Sequence, residues 1–152
     1  AQVDADHASD TVTQRSRTGM LVYLNSSLIY WSSRKQGGVE SSSFGAEFIA
    51  MKQCCEYLRG MRHKLRTFGI PVDKPCYIYG DNKSVLINSA EPDSVLKKKS
   101  NSIAYHFVRE GSSANEWKHS YINTDASFKN NVQIDQFVNF SSYFGAKKIM
   151  FL

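Results

Sequence analysis

Apolar residues recur along this chain with two different periods, and the period separates strands from helices. Gly19 to Leu24 and Leu28 to Trp31 are apolar, β-rich runs, joined by Asn25-Ser26-Ser27 as a short hairpin loop. Ala1 to Asp4 reads as the tail of an earlier strand whose beginning lies outside the chain, so a piece cut from something longer is expected. The clearest helix is predicted from about Phe44 to Arg66, with Ser43 as N-cap and Gly69 then Pro71 ending it. Its inward stripe is Phe44, Glu47, Met51, Cys54, Leu58, Met61 and Leu65, alternating steps of three and four. All are apolar except Glu47.

Tyr77-Ile78-Tyr79 suits a buried strand; Gly80 releases the backbone, and Asn82 or Ser84 can start a short helix through Val85-Leu86-Ile87. A polar linker and Lys97-Lys98-Lys99 lead to a second helix, about Ser100 to Glu110, with Ile103, Phe107 and Val108 inward and Gly111 as its stop. Trp117 to Ile122 alternates as a strand. The order β-β-β-α-β-α-β implies an α/β fold, a mixed sheet with helices packed on it. From Asn123 onward Phe128, Phe137, Phe140, Tyr143, Phe144 and Phe151 follow no firm period, so residues 123–152 are expected to form a divergent tail beyond a domain at 1–122.

At 152 residues, 41% hydrophobic and 22% charged, the chain has the make-up of one globular domain. It contains no apolar run near 18 residues and no signal-peptide pattern, so no membrane partner is expected. Cys54, Cys55 and Cys76 are an odd number without ligand-like spacing and read as core residues of a reducing compartment. The net charge of +5 hints at a polyanionic partner. Lys97-Lys98-Lys99 and the helix face Arg59, Arg62, Arg66 are either solvated surface or phosphate contacts, with Arg15 and Lys35 as weaker candidates. Arg34-Lys35-Gln36-Gly37-Gly38 reads as a basic, flexible connection.

Three carboxylates occupy unusual places. Asp4 ends one strand, Asp81 ends another, and Glu47 sits on a helix core stripe, where a bare charge costs several kcal/mol. The plainer accounts are a cap or turn role for Asp81, and for Glu47 an anion eased by the helix dipole. If the strands are neighbours and the helix crosses them, all three converge, and such a cluster needs cations. Oxygen-only ligation selects Mg²⁺ or Mn²⁺, and two ions roughly 4 Å apart would clamp an in-line phosphodiester displacement.

Six motifs carry a resemblance. They are Val3-Asp4-Ala5-Asp6 with Asp10; Arg15-Ser16 with Thr18-Gly19; and Tyr30-Trp31-Ser32-Ser33-Arg34-Lys35-Gln36. Then come Ser42-Ser43 with Ala46-Glu47-Phe48, Tyr79-Gly80-Asp81-Asn82-Lys83-Ser84, and Tyr105-His106-Phe107-Val108-Arg109-Glu110. In order and spacing they resemble the ribonuclease H domain of Copia-type long-terminal-repeat retrotransposon polyproteins, over residues 1 to about 124. The resemblance implies a ribonuclease H-like mixed five-stranded sheet with packed helices. It further implies two-ion hydrolysis of the RNA strand of an RNA–DNA hybrid, beside a reverse transcriptase domain upstream in the same polyprotein. The implied setting is intracellular, in a cytoplasmic particle or the nucleus.

Residue by residue, Asp4, Glu47 and Asp81 match three of the family's metal-binding and catalytic carboxylates. Ser43 and Asn82 would line the substrate groove, while Asp6 and Asp10 structure the loop. The departure is at the end. Tyr121-Ile122-Asn123-Thr124 begins the family's last motif, but counting on puts Asn130 where a fourth acid is implied, with Asp125 or Asp135 as substitutes outside the motif. An amide brings no charge to a metal, so activity is expected to be low or absent, and the alternative is a catalytically degenerate retroelement fragment that at most binds nucleic acid.

Overall fold

The computed structural model describes residues 1–8, 10–25, 27–90 and 102–122; residues 97–99, Asn130, Asp125, Asp135 and the whole tail 123–152 lie outside the described residues. The elements are β1 (Gln2–Asp6), β2 (Arg17–Leu24), β3 (Ser27–Lys35), α1 (Ser43–Thr67), β4 (Cys76–Gly80), α2 (Lys83–Ala90), α3 (Ser102–Ser113) and β5 (Trp117–Tyr121). The sheet order is β3-β2-β1-β4-β5. β1–β2 and β2–β3 pair antiparallel, β1–β4 and β4–β5 parallel, so this is the expected mixed five-stranded sheet with packed helices. Asn25 takes φ 51° at the β2–β3 turn, a left-handed conformation that asparagine tolerates in tight hairpins.

One core forms between sheet and helices. Val3, Met20, Val22, Ile78 and Trp117 meet Phe48, Met51, Cys54 and Leu58 of α1, Val85 and Leu86 of α2, and Tyr105 and Val108 of α3. Cys54 and Cys55 are both buried core residues, as expected, and burial pushes the Cys54 thiol up to about 12. The buried face of α1 is wider than the expected stripe, taking in Phe48, Ala50 and Cys55, because the helix touches both the sheet and α3. Gly69 ends α1 as expected. With φ 75° it donates to the Arg66 carbonyl at 2.9 Å, while Ile70 donates to Leu65 at 3.0 Å, the paired closure of a Schellman motif.

Several expectations are corrected. Ser42, not Ser43, caps α1, its hydroxyl accepting from the Gly45 amide at 3.2 Å; Ser43 is the first helical residue. Asp4 does not end its strand, since β1 continues to Asp6 against Arg17 of β2. Gln36 is no part of a flexible connection: it is buried and donates to Thr18 Oγ1 at 3.0 Å and the Ala46 carbonyl at 2.7 Å, tying β3 to α1. In α3 Ile103 faces solvent and Ala104, Tyr105 and Val108 face inward. Gly111 lies inside that helix, where the Trp117 ring occupies the space a side chain would need.

The basic face of α1 is largely engaged in holding the fold. Arg62 is buried and donates to the Lys74 carbonyl at 2.7 Å and the Val72 carbonyl at 3.2 Å, pinning the segment that leads into β4. Arg59 bonds Glu116 at 2.7 Å and lies over the Phe107 ring at 4.3 Å, joining α1 to α3 and β5. Arg62 is thus neither solvated surface nor a phosphate contact; planar guanidinium groups suit buried carbonyls and ring faces better than lysine does.

His119 on β5 is half-buried, its Nδ1 3.5 Å from Ser112 Oγ, and the partial loss of solvent lowers its pKa from 6.5 to about 4. A depressed histidine favours the fold while neutral, so its contribution is present above about 6.5 and lost as pH falls through about 4. Replacing His119 by Gln should therefore raise stability at pH 4 relative to that at pH 7 by about 2–3 kcal/mol in urea melts, leaving the opposite slope of the other shifted groups uncovered. An unchanged pH dependence would clear His119 of that role.

Candidate active site

The strand register brings the first two carboxylates together. Gln2 of β1 pairs in parallel with Tyr79 of β4, and counting two residues on in each strand puts Asp4 alongside Asp81. Asp81 follows the last residue of β4 and precedes α2, where α/β sheets open at the carboxyl ends of their strands. Asn82 caps the helix, its Oδ1 accepting from the Ser84 amide at 3.0 Å and the Val85 amide at 3.2 Å. The cap role weighed for Asp81 thus belongs to its neighbour.

Glu47 arrives from above. Buried Gly45, Ala46 and Phe48 seat the start of α1 in the core, which carries Glu47 to the rim. It lies beyond the first turn of α1, which holds no acidic residue, so the helix dipole does little for it. Asp4, Glu47, Asp81 and Asn82 line a single cleft floored by Val3, Met51, Gly80, Val85 and Leu86. An added Cβ on Gly80 would sit 3.7 Å from Leu86 and 3.8 Å from Met51, so the chain turns there in close contact with the core.

The cleft is electrostatically unsatisfied. Burial pushes the Glu47 pKa from 4.5 up to about 7, the negative charges of Asp81 and Asp4 push the same way, and a hydrogen bond with the Asn82 side chain opposes them. Among the described residues, no group of three or more His, Cys, Asp or Glu side chains stands in position to hold a metal ion. The donor chemistry still fits a hard divalent cation. All donors are oxygens, the charges repel one another, and a cation between them would relieve the carboxylate that burial holds near neutrality. Ligation would require the three carboxylates to swing together.

The structure brings Asp4, Glu47, Asp81 and Asn82 into one place and leaves the other expected residues outside it. Ser43 and Arg15 are exposed and do not line the cleft. Lys35 forms an ion pair with Asp10, which it holds well below the usual carboxylate range. Asp10 also accepts from the Val12 amide at 3.0 Å and the Thr13 amide at 2.9 Å, the loop-structuring role expected of it. Sequence reasoning overlooked Gln2, which is buried beside Asp4. Strand alternation could have flagged it, since residues two apart share a face.

No family model matches the chain. It is 37% identical over 109 residues to the retrovirus-related Pol polyprotein from transposon RE2 of Arabidopsis thaliana, a match covering 72% of this chain and 8% of that protein. The corresponding polyprotein from transposon RE1 of the same plant is 36% identical over 109 residues, covering 72% of this chain and 7% of its own length. The chain therefore spans less than a tenth of either relative. Among solved structures, LC11-RNase H1 in complex with RNA/DNA hybrid superposes with a TM-score of 0.63 at 12% identity, over 84% of this chain and 87% of that one. Prototype foamy virus protease-reverse transcriptase gives 0.60 at 12% identity, over 97% of this chain and 20% of that one. At such identities these two likenesses establish the fold, which is that of ribonuclease H.

Proposed function

We propose, from the premise that this chain is a homologue of Copia-type retrovirus-related Pol polyproteins with a ribonuclease H-like fold, that it is their ribonuclease H-type nuclease module. Its substrate is an RNA–DNA hybrid, and it hydrolyses the RNA strand with Mg²⁺ or Mn²⁺. The observation that carries this reading is the single cleft lined by Asp4, Glu47 and Asp81, which come from β1, from α1 and from the end of β4. Its natural partner is a reverse transcriptase domain upstream in the same polyprotein, and its setting is intracellular.

Asp4, Glu47 and Asp81 would hold the divalent ions, which when bound stabilise charge on the attacking and leaving oxygens of the displacement. Asn82 fixes Glu47 through its side chain while its oxygen caps α2, so the Glu47 carboxylate is oriented by a rigid element. Among the described residues no serine, cysteine or histidine lines this cleft, in keeping with water as nucleophile rather than a protein group. Asn130, standing where the resemblance implies a fourth acid, supports slow turnover. The same observation favours the second reading, a hybrid-binding relic without catalysis.

Cleavage of a labelled RNA–DNA hybrid in Mn²⁺, wild type beside Glu47→Gln and Asp81→Asn, is the test. Slow cleavage lost in both variants is expected, a fall on the order of 10²–10³ for a site resting on charge stabilisation. Cleavage that persists in both would dismiss the site. Salt-sensitive binding without cleavage by the wild type would leave the relic.

A further inference from the structure

Asp4, Asp81 and Tyr121 come from three neighbouring strands or their ends, in the order β1, β4, β5. Tyr121 pairs with Gly80, the cleft residue that precedes Asp81, so it flanks the cleft on its β5 side without lining it. Its ring is 45% exposed, and the ammonium of Lys83 stands 4.7 Å above the ring centroid. Lys83 is the first residue of α2 and is itself exposed. The helix gains nothing from a cation there, since its start is already the positive end of its dipole. Among the described residues no carboxylate forms an ion pair with Lys83, whereas Lys35, Lys52 and Arg59 each have one.

An acidic cleft repels the polyanionic strand that has to lie across it. Bound ions answer for the phosphate held among the carboxylates, but the next phosphate along meets only their field unless a cation faces it. We propose that Lys83, steadied by the face of Tyr121, binds the backbone phosphate next to the scissile one on the strand that crosses the cleft. This rests on the nuclease reading above and deepens it. A lysine ammonium meets phosphate as a point charge, so the contact fixes the strand's position and reads no base. Tyr121 is a positioning residue. Cation–π attraction holds a long, flexible stem in one place, so less freedom is lost when the phosphate arrives.

The test is fluorescence anisotropy of a labelled RNA–DNA hybrid, titrated with the 152-residue chain in Ca²⁺ over a series of KCl concentrations. A gel confirms that the hybrid stays intact, and circular dichroism that each variant folds. Lys83→Met keeps the stem and removes the charge. It should weaken binding about three- to tenfold and reduce the magnitude of the slope of log affinity against log salt by about one. Lys83→Arg should restore the slope. Lys64→Met makes the same change in net charge on exposed surface about 25 Å along α1 from Glu47, and should leave the slope alone. Tyr121→Leu should weaken binding in the wild type and add little once Lys83→Met is present, the coupling expected of a residue that acts through another. If Lys83→Met keeps the wild-type slope, or Lys64→Met reduces it equally, the contact is overturned while the nuclease reading stands. If Tyr121→Leu adds its full cost to Lys83→Met, the positioning role is overturned. If the wild type binds no hybrid at all, the nuclease reading and the contact fall together.

Discussion

Glu47→Gln is expected to make the metal-free protein more stable above pH 7 while weakening its response to Mn²⁺. The Glu47 pKa is raised from 4.5 to about 7, so folding favours its protonated form. The benefit is complete below about 4.5 and is lost as pH rises through about 7, leaving an ionised carboxylate against Asp81 and Asp4. Without screening, that displacement corresponds to roughly 3 kcal/mol. Glu47 is only half-buried, and solvent reduces the figure to about 1–2 kcal/mol. Glutamine carries no charge at any pH and escapes the loss. In a chelator at pH 8 the variant should melt about 3–6 °C higher than the wild type, with little difference at pH 4.5.

Adding Mn²⁺ should then raise the wild-type melting temperature more than that of the variant, because only the wild type gains a charged ligand. A difference between the two proteins that does not vary with pH would sink the account of Glu47 as a strained carboxylate. His119 slopes the opposite way over an overlapping range, since its neutral form is the one the fold prefers. The wild-type profile between pH 4 and 7 should therefore look flatter than either variant profile.

The largest purely structural effect is expected at Gly111. In an ordinary helix interior Gly→Ala gains about 0.5–1 kcal/mol by reducing backbone entropy and improving propensity. At Gly111 the new Cβ would stand 2.0 Å from Cζ2 of Trp117 and 2.3 Å from Cη2. That ring cannot retreat. Trp117 is buried, and its indole nitrogen donates to the Val108 carbonyl at 3.0 Å from within the same helix. Gly111→Ala should cost about 3 kcal/mol, the upper range for overpacking a well-packed core, and lose more in thermal melts than it gains from propensity.

Gly60 supplies the control. It lies on the exposed side of α1 with nothing within 4 Å of an added Cβ, so Gly60→Ala should stabilise by about 0.5–1 kcal/mol. Two glycine-to-alanine changes in helices of one protein should thus differ in sign. Equal effects at the two positions would show that the Trp117 contact does not govern Gly111.

Much of this fold was legible in local pattern. The hairpin, the long helix, the strand ending before Asp81 and the strand starting at Trp117 all announce themselves through apolar period and turn residues. Backbone preference and side-chain direction act over a few residues, so a short window contains the information. The same reasoning singled out Glu47, because a carboxylate among Phe44, Met51, Cys54 and Leu58 breaks the stripe in plain view. Even so, the stripe hid a neighbouring fact: α1 buries Phe48 and Cys55 as well, since the width of a buried face depends on what the helix lands on.

Polar burial is what local pattern could not convey. Gln36 and Arg62 both read as surface residues until distant partners are known: Thr18 and Ala46 for the first, Val72 and Lys74 for the second. Gly111 reads as a helix stop until Trp117 is seen lying where its side chain would be. The sequence by itself determined which segments become strands and helices and that three acids stand at odd points within them. Only the tertiary structure decided that those acids share one cleft and that Lys83 lies over Tyr121 beside it. Electrostatic cost and steric conflict are properties of pairs, and these pairs are joined through space rather than along the chain.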